Sequence, residues 1–392
     1  MKTVAVIFGG KSAEHDVSIV TAISSIIKPL ELSKQYRVEA VYIAKNGAWF
    51  WDDKLKDIKL FTTGGIDRFM SRAQPASVQF DSGLTLTKPG GLASRKIQRK
   101  IDLVFPSMHG TYGEDGALMG LLDLAGVPYA GCGMEASVLA MNKILAKQTV
   151  LAHGIPTSRF LALTKLQFEQ DPEAAVKQVV AALKFPLFVK PAHLGSSIGI
   201  SRVKTSAELH NALEVAVRYD TDIVVEEAVL NLVEVTLPII GNDELTPAFL
   251  EQPLTQAEDF FDFETKYMGQ GGGKKDGAKM AGAKQGAQGY SKIPADLPEG
   301  LYQKAEALGL AVYRALGCRG MARVDMLIDS ASGEVFFNEV NPLPGSLYVH
   351  NWRAKGISNV ELVTRMLDMA EAYHQQRQTL NTVFETNFLK QF

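Results

Sequence analysis

"VKPAHLGSSIGIS", residues 189–201, closes a fully apolar strand with a lysine and runs on into a loop of small residues. Pro191 stiffens the exit from the strand, and Gly195, Ser196, Ser197 and Gly199 leave a loop whose backbone N–H groups can face an anion. With Lys190 at the strand end, that chemistry suits a polyphosphate. Taken alone, the stretch also reads as an ordinary β-hairpin with a solvated lysine. Gly195-x-Ser197-x-Gly199 matches the nucleophile elbow of hydrolases too, but the elbow needs a helix directly after the serine, and "IGISRV" reads as strand.

A phosphate loop calls for a counter-ion, and "NEVNPLPGSLYVHNW", residues 338–352, offers one a place. "MARVDMLID" and "GEVFFNEVN" read as paired strands joined by the turn residues Ser330 to Gly333. A turn centred near Ser332 sets Asp325 opposite Glu339, and the strand period of two puts Glu339 and Asn341 on one face. Oxygen donors with no Cys or His pattern favour a hard cation, and Mg²⁺ takes few protein oxygens, leaving phosphate and water to complete its octahedron. By itself such a cluster reads equally as a capped turn; beside the phosphate loop, each feature implies the other.

Toward the N-terminus, "TVAVIFGG" is a buried strand that feeds the helical pattern "DVSIVTAISSIIKPL". "GGKS" at 9–12 is not a Walker loop, because Ala5 stands where that loop needs glycine. Glu14 and His15 precede the helix, where an acid either complements the helix dipole or binds a ligand. "YRVEAVYIAKNG" adds a strand, residues 51–100 read as polar and irregular, and "IDLVFPSMHG" closes an open α/β domain over 1–125. Residues 126–228 read as an α+β unit: "MEASVLAMNKILAKQTVLAHG" as one 21-residue helix ended by Gly154, then strands around a helix capped by Thr205 and Glu208. Residues 229–392 carry the strands "VEVTLPII" and "LTPAFLEQ", a helix over 301–316 and the hairpin. Residues 269–289 hold eight glycines and four lysines with almost no apolar anchor, so 264–292 reads as a lid.

A chain of 392 residues exceeds one ordinary core. Its net charge of −2 and 21% charged residues give no reason to expect nucleic acid or a membrane as partner. Cys132 and Cys318 are the only cysteines, which suits a reducing compartment. The N-terminal apolar run is too short for a secretory signal and no 18-residue apolar stretch follows, so a cytoplasmic protein acting on small molecules is expected.

Eight segments, in order, resemble the D-alanine–D-alanine ligases of the ATP-grasp superfamily: "GGKSAEHDVS", "HGTYGEDGALMG", "GVPYAGCGMEASVLAMNK", "VKPAHLGSSIGIS", "VEVTLPIIGN", "FDFETKY", "CRGMARVDM" and "NEVNPLPG". The resemblance implies a three-domain α/β and α+β architecture and an ATP-dependent ligase that forms an amide between two D-amino acids, D-alanine by default, for peptidoglycan precursors. It implies that Lys143, Lys190, Ser196, Ser197 and Lys266 contact ATP, with Glu226, Glu227 and Glu234 along adenine and ribose. Asp325, Glu339 and Asn341 would hold two Mg²⁺ ions, with Mn²⁺ as the substitute. Glu14 would bind the first ammonium, Ser196 and Tyr267 would link it to the lid, and His109 would lie nearby. Arg323 and the Gly345 N–H would stabilise the tetrahedral intermediate, and a homodimer is implied.

Departures from the family fall at the acceptor end. Pro342 follows Asn341 where threonine is usual, and His350 or Asn351 stands where a serine receives the second carboxylate, with Tyr348 and Trp352 adding bulk. His350 is then either a carboxylate ligand or a hydrogen-bonded structural histidine. The lid is longer than the family's, Asn142 replaces an aspartate, and Val233 replaces an arginine. Lys266-Tyr267 follows the ligases that make amides. Two alternatives follow: a ligase with a different acceptor, and a nucleotide-binding protein without turnover.

Overall fold

The computed structural model describes residues 1–80, 83–90, 96–253, 291–382 and 384–392. β1 (Lys2–Gly9) is buried along almost its whole length because both faces are covered. It pairs in parallel with β2 (Tyr36–Ile43) and β7 (Leu103–Pro106), and β3 (Trp49–Trp51) closes the other edge antiparallel to β2. Parallel neighbours need a crossover, supplied between β1 and β2 by one helical rod of three segments, His15–Val20, Thr21–Ile27 and Lys28–Ser33. The middle segment is π-helical and leads into Pro29, which cannot donate the next helical hydrogen bond.

The stretch expected to be irregular is partly ordered. β4 (Ser77–Gln79), β5 (Leu84–Lys88) and β6 (Ile97–Ile101) form a small antiparallel sheet. Its buried apolar side chains, Leu84, Leu86 and Ile101, are few and lie mainly on one face, so its sequence looks polar.

The central unit is an antiparallel sheet of β8 (Phe160–Thr164), β9 (Leu187–Pro191), β10 (Ser201–Val203) and β11 (Asp222–Glu227), in the order β10-β9-β11-β8. β10 begins only at Ser201, so the phosphate loop is longer than "IGISRV" suggested. The third sheet, in the order β13-β12-β16-β17, consists of β12 (Leu232–Ile240), β13 (Thr246–Pro247), β16 (Met321–Asp329) and β17 (Glu334–Asn341). "LTPAFLEQ" is not one strand: it contributes β13 and β14 (Gln252–Pro253), the latter paired with β15 (Ser291–Lys292). The helix expected over 301–316 spans Glu299–Ala315. Helix Asn359–Gln378 and the segment before it share one apolar core with the first sheet, where Trp352, Leu362 and Met366 join Val4, Phe8 and Ile23.

The expected 21-residue helix is broken. Helices Met134–Met141 and Lys143–Ala152 meet at Asn142, which is extended and whose side-chain oxygen accepts from Ile144 N and Leu145 N at 3.0 Å each. Apolar periodicity runs through the break because both helices bury the same side. The family's aspartate would cap as well, so this departure is conservative. The substitution N142A should cost about 1 kcal/mol of stability and N142D less than about 0.5, read from urea denaturation midpoints.

Candidate active site

The hairpin of β16 and β17 carries the densest polar group. Its turn places Asp329 opposite Glu334, a register that would set Asp325 against Asn338. A bulge at Asn338 shifts the pairing by one, so Asp325 faces Glu339 and Arg323 faces Asn341. The expected pairing is therefore present, but a bulge produces it. β12 adds Thr236 opposite Asp325.

Asp325 is the hub. Its carboxylate accepts from Thr236 Oγ1 at 2.6 Å, Arg323 Nε at 2.7 Å, Arg323 Nη2 at 2.5 Å and Asn341 Nδ2 at 3.0 Å. Asn341 thus turns its amide nitrogen to Asp325 and leaves its carbonyl oxygen for a cation. Glu339 Oε2 stands 3.7 Å from Lys143 Nζ. Three oxygen donors on neighbouring positions, with positive charge at the rim, fit Mg²⁺ shared with phosphate.

Lys143 also donates to Leu194 O at 2.6 Å, tying the phosphate loop to the metal strand. In that loop Ser196 and Ser197 have φ of 55° and 60°, left-handed values that cost a serine about 1–2 kcal/mol each. Such strain is kept where a loop must present its N–H groups. Ser196 Oγ donates to Glu14 Oε1. Glu14 makes no side-chain cap bond to its own helix, and its recorded contact is across to the serine loop instead. Burial and the neighbouring Glu114 raise its carboxyl above the usual range. Gly110 packs against it, and a Cβ there would lie 2.5 Å from Ser12 Oγ and 2.9 Å from Glu14 Oε2.

His109 Nε2 lies 3.1 Å from Thr21 Oγ1, which also accepts from Ser346 N at 2.9 Å. Glu114 accepts from Gly110 N at 2.7 Å and Leu343 N at 3.3 Å. Gly345 opens a turn in which Ser346, Leu347 and Tyr348 all have left-handed φ, between 51° and 53°. That turn lays the Tyr348 ring 5.0 Å from the Arg323 guanidinium.

His350 takes the structural alternative: Nε2 is 2.8 Å from Glu251 Oε2, so its carboxylate partner is internal. Asn351 is spent on Phe249 N and Phe249 O, and Trp352 is fully buried. Neither meets the acceptor side. Of the acids expected along adenine and ribose, Glu226 is buried beside Lys190, 3.1 Å away, while Glu227 lies on the alternate face of β11 with Lys184 N and Arg159. Glu234 sits on β12 opposite Leu327. Lys266, Tyr267 and most of the expected lid lie outside the described residues.

Sequence reading missed Lys147, which is wholly buried with Nζ 2.8 Å from Thr157 Oγ1, 3.0 Å from Ser158 Oγ and 3.4 Å from Glu226 Oε2. Its signal was a lysine one turn beyond Lys143, on the helix's buried side. Burial alone would raise the Glu226 carboxyl, but the Lys147 and Lys190 charges hold it down at about 2; burial draws Lys147 down to about 8. Thr157 Oγ1 donates to Phe337 O at 2.8 Å, joining the central unit to β17.

Comparison with known proteins agrees with this geometry. The family model described as "D-ala D-ala ligase C-terminus" matches residues 150–368, and "D-ala D-ala ligase N-terminus" matches 3–132. A D-alanine–D-alanine ligase of Chlorobium phaeovibrioides is 37% identical over 381 residues, covering 96% of this chain and 99% of its own. The VanG D-Ala:D-Ser ligase of Enterococcus faecalis superposes with a TM-score of 0.76 at 31% identity, over 94% of this chain and 99% of that one. The D-alanine–D-alanine ligase of Coxiella burnetii gives 0.76 at 26% identity, over 96% of each chain. The polar row on β16 and β17, the strained serine loop bound to Glu14 and these matches over nearly the whole chain converge: it belongs to the D-alanine–D-alanine ligase family, enzymes of the ATP-grasp fold.

Proposed function

We propose that this enzyme joins two molecules of D-alanine with hydrolysis of ATP to ADP and phosphate, for peptidoglycan precursor synthesis. The observation that carries the reading is the Ser196–Glu14 hydrogen bond, which couples a strained phosphate loop to a half-buried carboxylate suited to an ammonium group. The different-acceptor alternative loses its footing: His350 is already paired with Glu251, and Asn351 and Trp352 are packed away. A binder without turnover would not need Arg323 beside the metal row.

A carboxylate is a poor acyl donor because oxide would have to leave. The first D-alanine therefore takes the terminal phosphoryl group of ATP on its carboxylate, and the amine of the second attacks the acyl phosphate and releases phosphate. Glu14 holds the first ammonium, and Lys143 and Lys190 face the phosphates. Asp325, Glu339 and Asn341 would hold Mg²⁺, which would supply neutralisation of phosphoryl charge. Arg323, fixed by Asp325 from below and Tyr348 from above, faces the developing oxyanion. The cation–π contact and the bidentate ion pair leave the guanidinium little freedom, so its dipole is set before the reaction. The same reading carries a cytoplasmic homodimer that acts on small molecules alone; two buried free thiols suit that compartment, and equilibrium sedimentation reads the oligomer.

Incubation with ATP, Mg²⁺ and a panel of amino acids of both hands should release phosphate with D-alanine, and mass spectrometry should find D-alanyl-D-alanine. Release with L-alanine alone, or with none of the panel, would overturn the reading. Glu339→Gln should lower turnover at least about 10³-fold with the melting temperature little changed.

Glu14 supplies a pH signature. Its folded-state pKa is raised above the unfolded value, so its ionisation weakens the fold as pH rises through that raised value. At neutral pH the free enzyme with E14Q should melt higher than the wild type, while its KM for the first D-alanine rises sharply. In the wild type, D-alanine affinity should fall as pH drops through the same value, and in E14Q that dependence should vanish.

A further inference from the structure

Every recorded partner of Glu226 sits on one of its two oxygens. Oε2 lies 3.1 Å from Ser158 Oγ, 3.1 Å from Lys190 Nζ and 3.4 Å from Lys147 Nζ. Oε1 is buried and has no hydrogen-bond partner among the described residues. A buried carboxylate oxygen left alone is costly, so it calls for a donor that arrives with a ligand. In register with Glu226 stand Phe160 on β8 and Phe188 on β9, so a flat, apolar-flanked group carries that donor. The exocyclic amine of adenine meets both requirements. Guanine would bring a carbonyl oxygen to the same place and set acceptor against acceptor.

What aims Oε1 is not Lys190 alone, since that lysine also faces the phosphates and is drawn toward them when nucleotide is bound. Lys147 has no such second duty. It is fully buried, its ammonium is shared among Thr157, Ser158 and Glu226, and Thr157 is itself anchored on Phe337 O. We infer that Lys147 is a positioning residue for nucleotide choice: by occupying Glu226 Oε2 it presents the other oxygen to the base and makes the site prefer adenine over guanine. This rests on the nucleotide-binding reading of the site above.

The test is calorimetric binding of ADP and GDP, each with Mg²⁺ and no amino acid, to the full chain. The wild type should bind ADP at least about 100-fold more tightly than GDP, the usual penalty when a buried polar group is left unpaired. Lys147→Met should weaken ADP about tenfold or more and change GDP by less than about twofold, so the preference collapses. Adding K147M to E226Q should do nothing further, because the lysine acts only through that carboxylate. Equal weakening of both nucleotides, an unchanged ADP affinity, or additive effects in the double variant would each overturn the inference. Should K147M fail to fold, Ser158→Ala, which frees one anchor while keeping both charges, must lower ADP affinity and spare GDP; an equal loss of both overturns the inference in the same way. A wild type that binds neither nucleotide overturns the underlying nucleotide reading instead, so the two failures are distinguishable.

Discussion

One extra residue in β17 decides which of its side chains share a face with Arg323, Asp325 and Thr236. Without the bulge at Asn338, every side chain from Glu339 onward would shift one position against β16, and a shift of one turns a side chain to the opposite face of a sheet. Glu339 and Asn341 would then face away from Arg323, Asp325 and Thr236. The polar row exists because the hairpin is irregular at that point, while the pairing nearer the turn, from Met326 to Asp329, is regular.

Around that row the molecule holds a set of charges that are individually costly and tolerable only together. Asp325 spends both oxygens on four donors, Glu226 draws two lysines into the interior, and Glu14 is kept as a half-buried carboxylate near a second acid. Buried charge of this kind does little for net stability. What it provides is fixed direction, which is what stabilising a charged transition state requires.

Much of this was legible in the chain because local chemistry signals it. The strand–lysine–glycine pattern around Lys190, the hairpin of Asp325 and Glu339, and the acid before the first helix are short-range features. The misses have more than one cause, some local and some resting on contacts far along the chain. Asn142 breaks a helix whose apolar pattern is continuous, because its capping bonds are invisible to periodicity. His350 meets Glu251, a residue 99 positions away, so its role could not be chosen from its neighbours. Lys147 drew no notice because the residues that bury it, Thr157, Ser158 and Glu226, come later in the chain. The small sheet of β4 to β6 was hidden by its one-sided burial.

Thr21 carries a further consequence. Its hydroxyl meets His109 on one side and the backbone of Ser346 on the other, while Glu114 reaches from the His109 loop to the backbone of Leu343. The turn after β17 and the stretches around Thr21 and Glu114 are therefore one mechanical piece, though the first lies more than 200 residues from the other two. In such a piece, drift in residues 342–348 is felt at residues 14–21 and 109–114, and the reverse. The unit that evolution can exchange between relatives is thus a set of three dispersed segments that must change in step, and a contiguous graft of the acceptor end alone would arrive without its supports.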